Sequence, residues 1–72
     1  MITLYTLPNC GICHMVKTKL KGKNIIFEEK DFSLIAATIN SDHAPALAYE
    51  KDGQTEILNS PGAIVNWINK QG

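Results

Sequence analysis

The sequence predicts an α/β fold in which helices cover the faces of a mixed four-stranded sheet, in the order β-α-β-α-β-β-α. Three observations lead there. The alternation in "MITLYT" gives way to a helical spacing of apolar residues, a second strand-like run, "NIIFEEKD", follows that helix, and Asp52-Gly53 separates two more short strand-like runs. Strand, helix and strand in succession imply a parallel pair joined by a right-handed crossover, whereas a two-residue Asp-Gly connection implies an antiparallel hairpin.

Each element has its own signal. Ile2, Leu4 and Thr6 alternate with Thr3 and Tyr5, and β-branched residues dominate, so 2–6 read as the first strand. "LPNCG" is a loop. From Ile12 to Lys21 the period becomes helical, with Cys13, Val16 and Leu20 on one face, Lys17 and Lys21 pointing elsewhere, and Gly22 as the C-terminal stop. The second strand is expected over 25–30. Ser33 is placed to cap a short helix over 34–40, with Ile35 and Ile39 on one face. "PALAYE" gives the third strand over 46–50 and "TEIL" the fourth over 55–58. The last helix starts in "NSPGAIVNWINK", with Ser60 as N-cap and Pro61 at its first position. Ile64, Val65 and Ile68 form its buried stripe, and Trp67 flanks it.

A chain of 72 residues reads as a single domain, 1–72, and buries only a modest core, so it needs a staple or an economical layered fold. Apolar residues make up 44%, too many for a disordered chain. Lysines balance acidic residues at seven each and there is no Arg, which disfavours nucleic-acid binding. No apolar run approaches a membrane span, and "MITLYT" alternates like a strand where a secretory leader needs a basic stretch and a long apolar run. A cytoplasmic protein with no membrane partner is therefore expected, and a monomer. Lys17, Lys19, Lys21 and Lys23 read as a solvated helix end, where cations suit the negative end of the dipole.

The stretch "CGICH", Cys10 to His14, carries the chemistry, and it fits three kinds. As a haem anchor it lacks support, because His14 and Met15 are helix neighbours and cannot clamp opposite faces of one haem. As a closed zinc site it has Cys10 and Cys13 and at most His14 or His43, without the second close pair that marks zinc modules. Redox chemistry fits better. Cys10 falls at a helix N-terminus, where free N–H groups and the positive dipole end favour thiolate over thiol. Cys13, one turn further on, can bring its sulfur under that of Cys10. Cys10 is thus the expected nucleophile on a substrate disulfide and Cys13 the resolving thiol. Two other classes stay open: a metal or iron–sulfur carrier with Cys10 (and Cys13) as ligand in a dimer, and a scaffold with a vestigial dithiol.

"YTLPNCGICHMVKTKL", "HAPAL" and "NSPGAI", in this order and spacing, make the sequence similar to glutaredoxins and NrdH-redoxins of the thioredoxin-fold superfamily. Cys10, Cys13, Lys17 and Leu20 match the family's active-site helix. The resemblance implies a three-layer thioredoxin-like fold and dithiol–disulfide oxidoreductase activity on protein or glutathione mixed disulfides. It implies a cis Ala44–Pro45 bond facing the dithiol, with the Ala44 backbone pairing with a substrate strand, and a substrate groove of Pro8, Ala44, Pro45, Ser60 and Gly62. His14, Lys17 and His43 are candidate modulators. No resident cofactor and no metal is implied. Glutathione and thioredoxin reductase are the alternative electron donors, and disulfide-containing proteins, ribonucleotide reductase among them, the partners. The chain has Gly11-Ile12 where glutaredoxins typically have Pro-Tyr, and His43-Ala44 where they often have Thr-Val.

Overall fold

The computed structural model describes residues 1–71. Its elements are β1 (Thr3–Thr6), α1 (Gly11–Gly22), β2 (Glu28–Asp31), α2 (Ser33–Ala36), β3 (Ala46–Lys51), β4 (Gln54–Leu58) and α3 (Pro61–Asn69). The order of elements is the one the sequence predicts. The sheet runs β2-β1-β3-β4, with β2 parallel to β1 and the other two pairs antiparallel.

Strand alternation splits the apolar residues between two faces. Leu4, opposite Leu47, and Leu47, opposite Leu58, form a row on one face. Val16 and Leu20 of α1 and Ile64 and Ile68 of α3 close over that row as one buried cluster. Tyr49 and Trp67 extend it, their ring centroids 5.0 Å apart. The opposite face carries Ala46, half-buried Tyr5 and Ile57, covered by Phe32 and Ile35 from the α2 region. The result is three layers, helix, sheet, helix.

Helix ends explain where the boundaries depart from expectation. Gly22 does not stop α1; it is the last helical residue, and Asn24 two positions on takes the left-handed backbone (φ 60°). The Asn24 N–H bonds the Lys21 carbonyl at 3.0 Å and the Ile25 N–H bonds that of Leu20 at 3.0 Å. This is a Schellman ending, and the packing of Ile25 against the Leu20 cluster supplies its apolar contact. With Ile25 used there, β2 starts only at Glu28, and not at 25.

The second helix is also shorter than expected. Ser33 is not its N-cap; Phe32 is, and Asp31 Oδ1 accepts the Ser33 N–H at 2.8 Å. After Ala36 the chain continues as turns and ends on another left-handed asparagine, Asn40 (φ 52°). Asp52 and Gly53, at φ 54° and 79°, form the expected tight hairpin turn with both central residues left-handed. β2, exposed throughout, carries only charged residues, which deters pairing along that edge of the sheet.

Leu47 is wholly buried, in a strand paired on both sides. Leu47→Ala should lower the unfolding free energy by about 2–5 kcal/mol in urea titration. Ile26→Ala, at a residue 92% exposed, should stay within about 0.5 kcal/mol of wild type.

Candidate active site

Cys10 is the N-cap of α1. Its backbone is extended (φ −101°, ψ 105°) and follows Asn9 in the left-handed region (φ 61°), which asparagine tolerates. Its Sγ accepts the Cys13 N–H at 3.1 Å, and its carbonyl accepts the His14 N–H at 3.2 Å. Sulfur here does what a Ser or Asp oxygen does at most N-caps, satisfying a first-turn donor. Cys10 and Cys13 are joined as a disulfide, their Cα atoms 5.2 Å apart. Their exposures are unequal: Cys10 is half-buried and Cys13 only 2% exposed, facing the core side of α1 with Val16 and Leu20. In this oxidised form the accepting atom is a disulfide sulfur. After reduction the same N–H and the positive helix end would face a thiolate, the form they favour.

Three connections meet at the end of the sheet where β1 delivers Cys10. β3 runs antiparallel to β1, so its first residues lie at the same end as the last of β1, and β4 ends there opposite Leu47. Hence 7–10, 43–45 and 59–62 cluster. The Ala44–Pro45 peptide is cis, as the resemblance implies, and Pro45 is buried with Ala44 half-buried beside it. Ser60 is the N-cap of α3 and Pro61 its first residue, yet the Ser60 hydroxyl makes no capping bond. Gly62 is exposed in the first turn. Asn59, which the sequence reading passes over, donates its side-chain amide to the carbonyls of His43 at 3.0 Å and Pro45 at 3.1 Å.

The other flank of the dithiol is an open groove of about 740 Å³ between the first turns of α1 and β2. It is lined by Pro8, Cys10, Cys13, His14, Lys17, Glu29 and Asp31, among others. Of the expected substrate-binding residues only Pro8 lines it; Ala44, Pro45, Ser60 and Gly62 do not, and belong to the connections of β3 and β4, on the other side of β1 from β2. Toward β2 the dithiol is thus bordered by charged side chains.

On the charged side, Lys17 sits one turn after Cys13 and pairs with Glu29 at 3.2 Å, while the Thr6 hydroxyl donates to the same carboxylate at 2.8 Å. These two contacts, Thr6 foremost, hold the Glu29 carboxyl below its ordinary pKa. Neither Thr6 nor Glu29 stands out in the sequence, because only the β1–β2 register brings them together. Asp31 is also lowered, by its hydrogen bonds from Ser33. His14 is exposed at the groove, and His43 is exposed with Nδ1 3.3 Å from the Ser41 hydroxyl and 3.5 Å from Asp42. Among the described residues no three His, Cys, Asp or Glu side chains gather where they could hold a metal ion.

Known proteins bear on this geometry. The family model described as Glutaredoxin matches residues 2–38, just over half of the chain, and takes in both cysteines. The chain belongs to the glutaredoxin family. Its fold is similar to that of a trimeric glutathione transferase of Leishmania, TDR1, with a TM-score of 0.79 and 14% identity over 100% of this chain. This chain spans 18% of that transferase. It is also similar to a Plasmodium falciparum thioredoxin, with a TM-score of 0.62 and 18% identity, covering 99% of this chain and 84% of the other. These likenesses show a thioredoxin-like fold. No curated protein matches the sequence. Family and joined cysteines together support thiol–disulfide oxidoreductase-like function in this glutaredoxin. No helix among the described residues is long and apolar enough to cross a membrane.

The Glu29 contacts set a pH dependence. A carboxyl with a lowered folded pKa contributes stability above its unfolded pKa, lost as the pH falls through the folded value. At pH 7, Glu29→Gln should therefore cost about 0.2–1 kcal/mol, small because the pair is partly exposed. Thermal unfolding of both proteins should show that difference shrinking as the pH falls from the ordinary glutamate range, about 4.3, and vanishing only below the lowered folded value. A difference that persists at acid pH would mean that the charge of Glu29 is not what stabilises.

Proposed function

We propose that this glutaredoxin is a dithiol–disulfide oxidoreductase in which Cys10 is the nucleophile and Cys13 the resolving thiol. The observation that carries the reading is the placement of Cys10: an N-cap sulfur that accepts a helix N–H and is bonded to a buried Cys13 one turn on.

The chemistry runs in two exchanges. The reduced Cys10 thiolate attacks one sulfur of a substrate disulfide. A Cys10–substrate disulfide forms, and the other substrate sulfur leaves as a thiolate that takes up a proton. Cys13 then loses its proton, and its thiolate attacks Cys10 Sγ. The Cys10–Cys13 disulfide forms and the second substrate thiolate departs and is protonated. The substrate gains two electrons and the protein loses two. The disulfide form described above is the product of this half-cycle, and glutathione or thioredoxin reductase would return it to the dithiol.

Burial supports unequal roles. The half-buried Cys10 can be reached by a large substrate, whereas Cys13 is shielded and meets only a sulfur already attached next to it. The cis-proline flank suits an extended chain. Ala44 can offer its backbone to a substrate strand beside Pro45, and Ser60 and Gly62 can border that strand, in a small case of β-addition.

Cys10→Ser should abolish the reduction of a protein mixed disulfide, and retained activity would overturn the assignment. Cys13→Ser should keep the first exchange and stop at a mixed disulfide through Cys10, visible as an intact-mass adduct that a reducing agent releases. In a separate assay, the oxidised protein supplied with NADPH should draw electrons either through glutathione and glutathione reductase or through thioredoxin reductase. Its rate of NADPH consumption identifies the donor.

A further inference from the structure

We propose that Asn59 is a positioning residue for substrate recognition: it holds the cis-proline loop by both carbonyls that bracket Ala44, leaving the Ala44 backbone free for a peptide. This rests on the oxidoreductase reading, with its substrate strand paired at Ala44, and adds the residue that holds that loop in place for a peptide-borne disulfide.

The geometry is specific. An asparagine amide nitrogen has two hydrogens. Here one goes to the His43 carbonyl at 3.0 Å and the other to the Pro45 carbonyl at 3.1 Å. Both partners are acceptors, so the nitrogen must face them and the orientation of the amide is not ambiguous. Asn59 comes directly after β4 and directly before the N-cap of α3. It therefore ties the loop that precedes β3 to the junction of β4 and α3. Ala44, between the two held residues, takes part in no hydrogen bond among the described residues. It is half-buried, packed in part against the cluster of Phe32, Ile35 and Ala46. Pro45 brings no N–H to this stretch, which leaves Ala44 as the point where an incoming strand can pair.

The other contacts of the loop do not substitute for this one. Ser41 bonds His43 through its N–H, its carbonyl and its ring, all within two residues, and so shapes the loop without fixing it to the rest of the fold. Asn59 reaches across 16 and 14 residues of sequence.

The test uses two substrates with the same leaving group. One is a cysteine-containing peptide joined to thionitrobenzoate by a disulfide; the other is 2-mercaptoethanol joined to thionitrobenzoate, which has no peptide backbone. Reduced protein is mixed with each, and release of the coloured thiolate gives the rate constant for attack by Cys10. Asn59→Leu is close to the side chain in size and removes both donors without adding a charge. It should slow the peptide reaction about tenfold, as the loss of one hydrogen bond of about 1.4 kcal/mol between the Ala44 backbone and the peptide would, and leave the small disulfide within about twofold of wild type. Should Asn59→Leu fail to fold, Asn59→Ser is put through the same comparison. Equal slowing of both substrates, or of neither, would overturn the proposal, since a merely structural role does not distinguish them. If wild type attacks neither substrate, the oxidoreductase reading itself falls, and that result is distinct from a wild type that attacks both.

Discussion

The central position of β1 is the constraint on which the rest depends. It is hydrogen-bonded on both sides, parallel to β2 and antiparallel to β3. Its Leu4 is completely buried opposite Leu47, which packs against both helices of one layer. A strand so fixed cannot slip by one residue without turning Leu4 out of the core. The chain that leaves it must reach α1 within a few residues, so Cys10 lands at a fixed point where strand ends and helix begins. There the first-turn N–H groups are unpaired, and one of them, from Cys13, finds the sulfur.

From that point the site divides by flank. Toward β3 and α3 it is made of backbone: the cis-proline loop, the uncapped start of α3, and Asn59 joining them. Toward β2 it is made of charges that satisfy one another. Lys17 and Thr6 both serve Glu29, and Asp31 serves the Ser33 N–H. Partly exposed pairs of this kind contribute little to stability. They do occupy the one lysine that lies a turn from Cys13, so its cation is committed to a carboxylate and not to a sulfur.

Most of the fold was legible because its signals are local. The heptad-like face Cys13, Val16 and Leu20, the Asp52-Gly53 turn and the Ser60-Pro61 helix start each lie within a few residues, and each appears where expected. The departures at the helix C-termini share one cause. Asn24 and Asn40 adopt left-handed backbone, so α1 runs through Gly22, the residue expected to stop it. Asparagine can do so, but whether it does depends on what the following residue packs against. For Asn24 that residue is Ile25, on the core. The Cys10 and Cys13 pairing was equally open to view, since a helix turn brings residues three apart together. Glu29 and Asn59 were not, because Thr6 is 23 residues from Glu29 and the carbonyls that Asn59 holds are 16 and 14 residues away.

The sequence by itself determined the order of elements, the two-faced apolar pattern and the position of a cysteine pair at a strand-to-helix junction, all consequences of short-range periodicity and turn chemistry. The tertiary structure decided what surrounds that pair. Only the register of β1 with β2 sets Thr6 beside Glu29, and only the antiparallel β1, β3 and β4 bring Asn59 to the carbonyls on either side of Ala44. Contacts of this kind follow from how strands pair across the sheet, and pairing between distant segments leaves no period in the chain to read.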